Sequence, residues 1–131
     1  MTTNFEDVKA FHERYGLPTP ASPVIPEKDL LQFRSAFMAE ELAEFNLAAS
    51  CGDVAGMADA LVDLVYVTMG TAVIMGLPWQ ELWDEVQRAN MSKVRALSAA
   101  DSKRGSTYDV VKPFDWQPPR IVDIINRAAA R

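Results

Sequence analysis

The sequence predicts an all-α protein, a helical bundle that ends in an extended C-terminal tail. Two observations favour this fold class. Apolar residues recur at three- and four-residue spacing along much of the chain, which is the period of an amphipathic helix. Gly16, Gly52 and Gly76 each follow a helix-like segment, where glycine can adopt the left-handed conformation that ends a helix. We expect residues 1–131 to form a single domain.

Three helices and one connector are predicted in the first part of the chain. The first helix spans Asn4–Tyr15, and its first residue is a favourable N-cap. Four prolines between Leu17 and Pro26 restrict φ and predict an extended connector. A long helix follows at about Glu27–Cys51. Another is predicted at about Asp53–Met75, whose first residue is again a favourable N-cap.

The rest of the chain shows a weaker pattern. A third long helix is predicted at about Pro78–Leu97, because proline is favourable in the first turn of a helix. Residues Ser98–Ser106 are polar, and Tyr108–Val111 could form a short extended piece. A terminal helix is predicted at about Arg120–Ala130, after a pair of prolines.

Composition and charge exclude several classes of protein. The chain is 49% hydrophobic and 24% charged, as in ordinary soluble globular proteins. A formal net charge of -5 argues against a nonspecific nucleic-acid surface, which needs a basic face. The single cysteine, Cys51, cannot form an intrachain disulfide, and we recognise no export signal. We therefore expect a cytoplasmic protein with no nucleic-acid partner.

One apolar segment is long enough to span a bilayer. From Ala60 to Trp79 the only charged residue is Asp63. A central carboxylate is costly in lipid, and no cluster of Lys or Arg flanks the segment. We therefore expect no membrane partner, but a helix buried on all sides in a bundle or at a subunit interface.

Carboxylates share a face with apolar residues in the first long helix. On a helical wheel one narrow sector holds Glu41 and Glu44, and Glu40 lies at its edge. The apolar residues of that sector are Leu30, Phe33, Phe37 and Ala48. Carboxylates on a core-facing stripe are costly unless they are paired, protonated or bound to a cation. The alternative is a solvated, Glu-rich helix face.

The next helix carries a second carboxylate pair. From Val54 to Met75 its only charged residues are Asp59 and Asp63, which are adjacent on one face. These acids could be satisfied core groups, but two such pairs on neighbouring helices favour divalent cations. Oxygen ligands suit Mg²⁺ or Mn²⁺ better than Zn²⁺. A di-iron bundle would need Glu-x-x-His pairs, and the only histidine, His12, lies in neither helix.

The third long helix adds groups that suit a phosphate. Its predicted stripe is Trp79, Leu82, Val86, Asn90 and Lys93. Asn90 and Lys93 thus extend an apolar face and could present an amide and a point charge to a phosphate. A helix end with a lysine that reaches out to solvent is the alternative. The residues that we interpret as packing groups are Trp79, Trp83 and Trp116.

Taken in order, these motifs resemble the all-α nucleoside triphosphate pyrophosphohydrolases, which include the MazG-like proteins. The family signature is Glu-x-x-Glu on one helix and Glu-x-x-Asp on the next. The matching segments of this chain are Glu41-Leu-Ala-Glu44, Asp59-Ala-Leu-Val-Asp63 and Val86-Gln-Arg-Ala-Asn90-Met-Ser-Lys93. The last segment and the opening Asn4–His12 look like the bacterial and phage branch.

The resemblance implies hydrolysis of a nucleoside triphosphate to the monophosphate and pyrophosphate, with more than one Mg²⁺ or Mn²⁺ ion. Glu41, Glu44 and Asp63 would be the catalytic metal ligands. Glu40 and Asp59 would be further ligands or orient water. The substrate-binding residues would be Val8, His12, Arg34, Phe37, Tyr66, Asn90, Lys93 and Lys112. The family forms dimers or tetramers, so we also expect self-association.

Two points stay open in the sequence. Ala60 stands where the family pattern places a glutamate, and the neighbouring Asp59 could replace it with a shorter reach. The alternative is a noncatalytic dimerisation or nucleotide-sensing module with the same fold. His12 and Arg34 could also be ordinary surface or packing residues, and Arg34 could pair with Glu41.

Overall fold

The structure, a computed structural model, describes residues 1–131 and contains five α-helices with one small antiparallel sheet. The predicted all-α helical bundle is confirmed. The elements are α1 (Asn4–Arg14), α2 (Lys28–Ser50), α3 (Val54–Ile74), α4 (Trp79–Met91), β1 (Val94–Arg95), a 3₁₀ turn (Ala99–Asp101), β2 (Val110–Val111) and α5 (Ile121–Ala130).

The chain divides into two compact units. The first consists of Met1–Leu77 with Arg131, and the second of Pro78–Ala130. The first unit therefore holds α1, α2 and α3, and the second holds the remaining elements. The expectation of a single domain over residues 1–131 stays a prediction.

Local capping chemistry sets the helix ends of the first unit. The N-cap of α1 is Thr3, so the prediction of Asn4 as the N-cap is wrong. Thr3 forms a capping box with Glu6. Thr3 Oγ1 accepts the Glu6 N–H at 3.1 Å, and Glu6 Oε2 accepts the Thr3 N–H at 2.9 Å. The predicted N-cap Asp53 is confirmed, since its Oδ1 accepts the Gly56 N–H at 3.0 Å. All three glycines predicted at helix ends have positive φ.

Helices α1 and α2 both pack against α3. The buried side of α2 is rotated slightly from the predicted sector, because Phe33 is 60% exposed whereas Arg34 is buried. Glu41 is buried, as the wheel predicts for a core-facing position, but Glu44 is exposed and its predicted core-facing position is wrong. The proline connector closes over the end of α3, where Val24 N–H donates to Met75 O at 2.9 Å.

Helix α3 is not buried on all sides within one chain. Its C-terminal half holds most of its buried residues, but Val54, Leu61, Val62 and Val65 are 49–77% exposed. By length and composition α3 could cross a membrane, and only 33% of its most apolar window is buried. One chain therefore does not bury α3 on all sides, and burial at a subunit interface stays a prediction.

In the second unit, α4 ends earlier than predicted. The predicted helix to Leu97 is wrong, because α4 stops at Met91 and the chain then extends into β1. Val94 pairs with Val111 and Arg95 with Val110, so the predicted extended piece at Tyr108–Val111 contains a real strand. Helix α5 packs against α4.

Candidate metal and substrate site

Three predicted carboxylates meet in the first unit. Glu41 and Glu44 lie one turn apart on α2, and Asp63 lies on α3. One carboxylate oxygen from each residue lies within 4.8 Å of the others. Because α2 packs along α3, the two motifs that are separate in sequence form a single cluster.

Glu41 is the buried member of the cluster. Its side chain is only 7% exposed, and its Oε2 has no hydrogen-bond partner. Burial, together with a hydrogen bond and repulsion from Glu44, raises the pKa of Glu41 to about 6. A buried carboxylate oxygen without a donor is costly, and a hard cation would satisfy it. The residues present therefore fit a divalent metal ion.

Asp63 is half-buried and lies near several other acids. Burial raises its pKa first, and repulsion from Asp59 and Glu44 adds to the shift. Asp59 and Glu40, the predicted additional ligands, are both exposed and lie outside the group of three. Both repel a member of the cluster, so they strengthen its negative potential. Their roles as ligands stay predictions.

Arg34 of α2 and His12 of α1 form a second group of buried polar side chains, which contacts α3 nearer its C-terminal end than the carboxylates do. Arg34 Nη2 donates to Val67 O at 2.8 Å, and its Nε donates to Thr71 Oγ1 at 3.1 Å. His12 is 2% exposed, and its Nδ1 has no hydrogen-bond partner. Burial and the Arg34 charge lower the pKa of His12, with burial the larger cause.

This His12–Arg34 group depends on a glycine of α3. A Cβ at Gly70 would lie 2.6 Å from Arg34 Nη2 and 2.8 Å from His12 Nε2. The alternative that Arg34 pairs with Glu41 is wrong, because its hydrogen bonds go to α3 instead. Phe37 is half-buried, and the Arg34 guanidinium lies 5.6 Å from its ring centroid. Three predicted substrate residues are thus adjacent to one another.

Two further predicted substrate residues line one cavity. Val8 of α1 and Tyr66 of α3 border an apolar space of about 470 Å³. The other lining residues are Asn4, Asp7, Leu61, Val62, Val65 and Met69. Tyr66 also contacts Phe11 edge-on, with ring centroids 5.5 Å apart. An apolar cavity with few polar groups suits a flat organic ring better than a phosphate.

The remaining predicted substrate residues belong to the second unit. Asn90 is exposed in the last turn of α4, and Lys93 and Lys112 lie beside the sheet. Both ammonium groups face the ring of Trp116, at 5.5 Å and 4.8 Å from its centroid. Lys93 is not on a helical stripe as predicted, because α4 has already ended.

Sequence reasoning did not predict that Gly70 adjoins His12 and Arg34 or that Trp116, interpreted as a packing group, adjoins two lysines. A lone glycine inside an apolar helix is a recognised sign of close approach, so Gly70 could have been noticed. Trp116 gives no such signal, since its neighbours Lys93 and Lys112 are brought to it only by strand pairing.

Comparison with known proteins identifies the family of the chain. A family model described as phosphoribosyl-ATP pyrophosphohydrolase matches residues 8–90, which is more than half of the chain. A comparison with curated proteins finds no match. The matched range includes both carboxylate motifs and Asn90. The chain belongs to the phosphoribosyl-ATP pyrophosphohydrolase family, within the MazG-like all-α nucleoside triphosphate pyrophosphohydrolase superfamily.

Proposed function

We propose that the protein hydrolyses a ribo- or deoxyribonucleoside triphosphate to the monophosphate and pyrophosphate, and so controls a nucleotide pool. Membership of a pyrophosphohydrolase family supports hydrolysis of a nucleotide-like substrate. The observation that carries the metal-dependent reaction is the buried, partnerless Oε2 of Glu41 inside a group of three carboxylates.

In this proposal Glu41, Glu44 and Asp63 hold Mg²⁺ or Mn²⁺. The exposed acids Glu40 and Asp59 bind a further ion or orient water. When bound, divalent cations supply positive charge to the phosphate oxygens and lower the pKa of water.

The nucleoside and the phosphates would contact different residues. Val8 and Tyr66 supply an apolar cavity for a ring. His12, Arg34 and Phe37, which lie next to one another, are further candidates for the nucleoside. The family resemblance implies that Asn90, Lys93 and Lys112 contact phosphates, by amide and ammonium hydrogen bonds.

The test is product analysis with a panel of ribo- and deoxyribonucleoside triphosphates plus Mg²⁺ or Mn²⁺. We expect monophosphate and pyrophosphate from at least one substrate. Asp63→Asn should lower kcat by at least about a hundredfold, since it removes a metal-binding charge. Asp84→Asn is the matched control, because Asp84 is an exposed aspartate of α4. No turnover across the panel by a folded protein contradicts the proposal.

A second candidate is a noncatalytic dimerisation or nucleotide-sensing module. It is favoured by one observation: Ala60 is 2% exposed where the family pattern has a glutamate, and neighbouring Asp59 is exposed. Calorimetric titration with the same nucleotides separates the two candidates. Binding of a triphosphate with no products over long incubation would support the sensing module.

A further inference from the structure

Two lysines of the second unit share one aromatic ring. Lys93 Nζ lies 5.5 Å and Lys112 Nζ 4.8 Å from the centroid of the Trp116 indole. Lys93 and Trp116 are half-buried, whereas Lys112 is exposed. Both ammonium groups therefore lie within cation–π distance of one half-buried ring.

The backbone accounts for this proximity. Val94 pairs with Val111 in the antiparallel sheet, so Lys93 and Lys112 are the next residues across from each other. Like charges directly opposite each other destabilise a strand pair. The ion pairs of this unit, Arg88–Glu85, Arg104–Asp109 and Arg120–Glu85, leave both lysines out. The local excess of positive charge therefore has no carboxylate partner in these pairs.

Trp116 is held firmly enough to act as a platform. Its Nε1–H donates to Ala89 O at 2.7 Å, and Ala89 is 1% exposed in the last turn of α4. Its backbone N–H donates to Pro113 O at 3.1 Å, which closes a turn after Lys112. The indole face attracts both ammonium groups and offsets part of their repulsion. The ring thereby fixes the positions of two cations that would otherwise separate.

We propose that Trp116 is a positioning residue, which holds Lys93 and Lys112 where both can contact a polyphosphate chain. The phosphate contacts of the two lysines themselves belong to the proposed function. The identity of the ligand rests on the proposed function, in which the substrate carries a triphosphate. Two adjacent point charges suit a chain with several anionic oxygens better than a single carboxylate. A bound anion also reduces the repulsion between the two lysines, and this reduction adds to the binding free energy.

Inorganic triphosphate is the probe, titrated calorimetrically into the full chain with a chelator present so that divalent ions play no part. Lys93→Met and Lys112→Met should each weaken binding about tenfold, because each removes one charge-assisted contact. Lys103→Met is the matched control, since Lys103 is an exposed lysine of the same unit, and it should bind as the unchanged protein does.

The positioning role has its own readout. Trp116→Leu should weaken triphosphate binding as much as the loss of one lysine. The same change should have no further effect when both lysines are already methionine, because its action passes through them. Trp116→Phe, which keeps a ring, should restore part of the affinity. Circular dichroism melts establish that each variant is folded.

Three results would overturn the inference. The first is that triphosphate does not bind to the unchanged protein. The second is that the lysine variants bind it as tightly as Lys103→Met does. The third is that Trp116→Leu weakens binding as much when both lysines are methionine as it does in the unchanged protein. Failure of the proposed function looks different. Triphosphate binding that depends on the lysines, with no nucleotide turnover, contradicts the hydrolase proposal and leaves this site intact.

Discussion

At the scale of single residues, Glu41 is a buried carboxylate that costs folding stability when it is charged, and the proposed function needs that charge to bind a metal ion. Its pKa is raised from 4.5 to about 6, so the folded state holds its proton more tightly than the unfolded state does. Stability from this group is fully present below pH 4.5 and is lost as the pH rises through 6. His12 acts in the opposite direction, since its lowered pKa destabilises the folded state as the pH falls below 6.5.

Replacement of Glu41 should separate these two effects. We expect Glu41→Gln to raise the free energy of unfolding above pH 6 in the presence of chelator, because it removes a buried charge. The gain should shrink towards pH 4.5, where the unchanged protein is protonated. Urea denaturation across this pH range measures it, with the exposed Glu13→Gln as control. A constant difference between Glu41→Gln and the unchanged protein at every pH contradicts the assignment.

At the scale of elements, α3 links both halves of the candidate site in the first unit. It supplies Asp63 to the carboxylate cluster and backbone acceptors to Arg34. The absence of a side chain at Gly70 lets the imidazole of His12 and the guanidinium approach the helix backbone. Both groups are buried, and Arg34 is held by two hydrogen bonds, so neither can swing away at low cost.

A methyl group at Gly70 should therefore cost stability. Alanine in a free helix position is favoured over glycine by about 1 kcal/mol. We expect Gly70→Ala to lower the free energy of unfolding by about 1–3 kcal/mol instead, as overpacking of a filled core does. Urea denaturation measures the change, and Ala58→Gly at an exposed position of α3 calibrates the propensity in the same helix. A Gly70→Ala protein that is more stable than the unchanged protein would contradict this prediction, since it would show that Arg34 and His12 can move to make room for the methyl group.

Helix existence was predictable because each signal is local. Asp53 and the glycines at the helix ends act on backbone groups within a few residues. The continuation of α4 to Leu97 failed because Val94 pairs with Val111, a contact between residues distant in sequence.

The carboxylates of the candidate site could be predicted from the sequence, but the contacts of the other candidate residues could not. Repeated carboxylates on apolar helices are visible in the sequence, and three of the five predicted ligands meet. The burial of His12 against Gly70 and the two lysines on Trp116 depend on tertiary packing, which spacing along one element does not specify.

At the scale of the whole molecule, the exposed side of α3 is an apolar surface that one chain leaves uncovered. Leu61, Val62 and Val65 are 49–64% exposed and line the apolar cavity beside α1. A contiguous apolar surface of this kind marks an interaction site in soluble proteins. A second copy of the chain could cover it, because a twofold dimer places the same apolar surface on both partners.

Self-association should therefore depend on α3. We expect light scattering after size-exclusion chromatography to give a multiple of the 14.5 kDa chain mass for the unchanged protein. Val62→Glu should shift it to the single-chain mass, because a charge buried in an apolar interface without a partner is costly. Val122→Glu is the matched control, since Val122 is a valine of α5 that is 70% exposed, close to the 64% of Val62, and it should leave the mass unchanged. A single-chain mass for the unchanged protein, or no effect of Val62→Glu, contradicts this assignment and leaves the apolar face of α3 to a different partner.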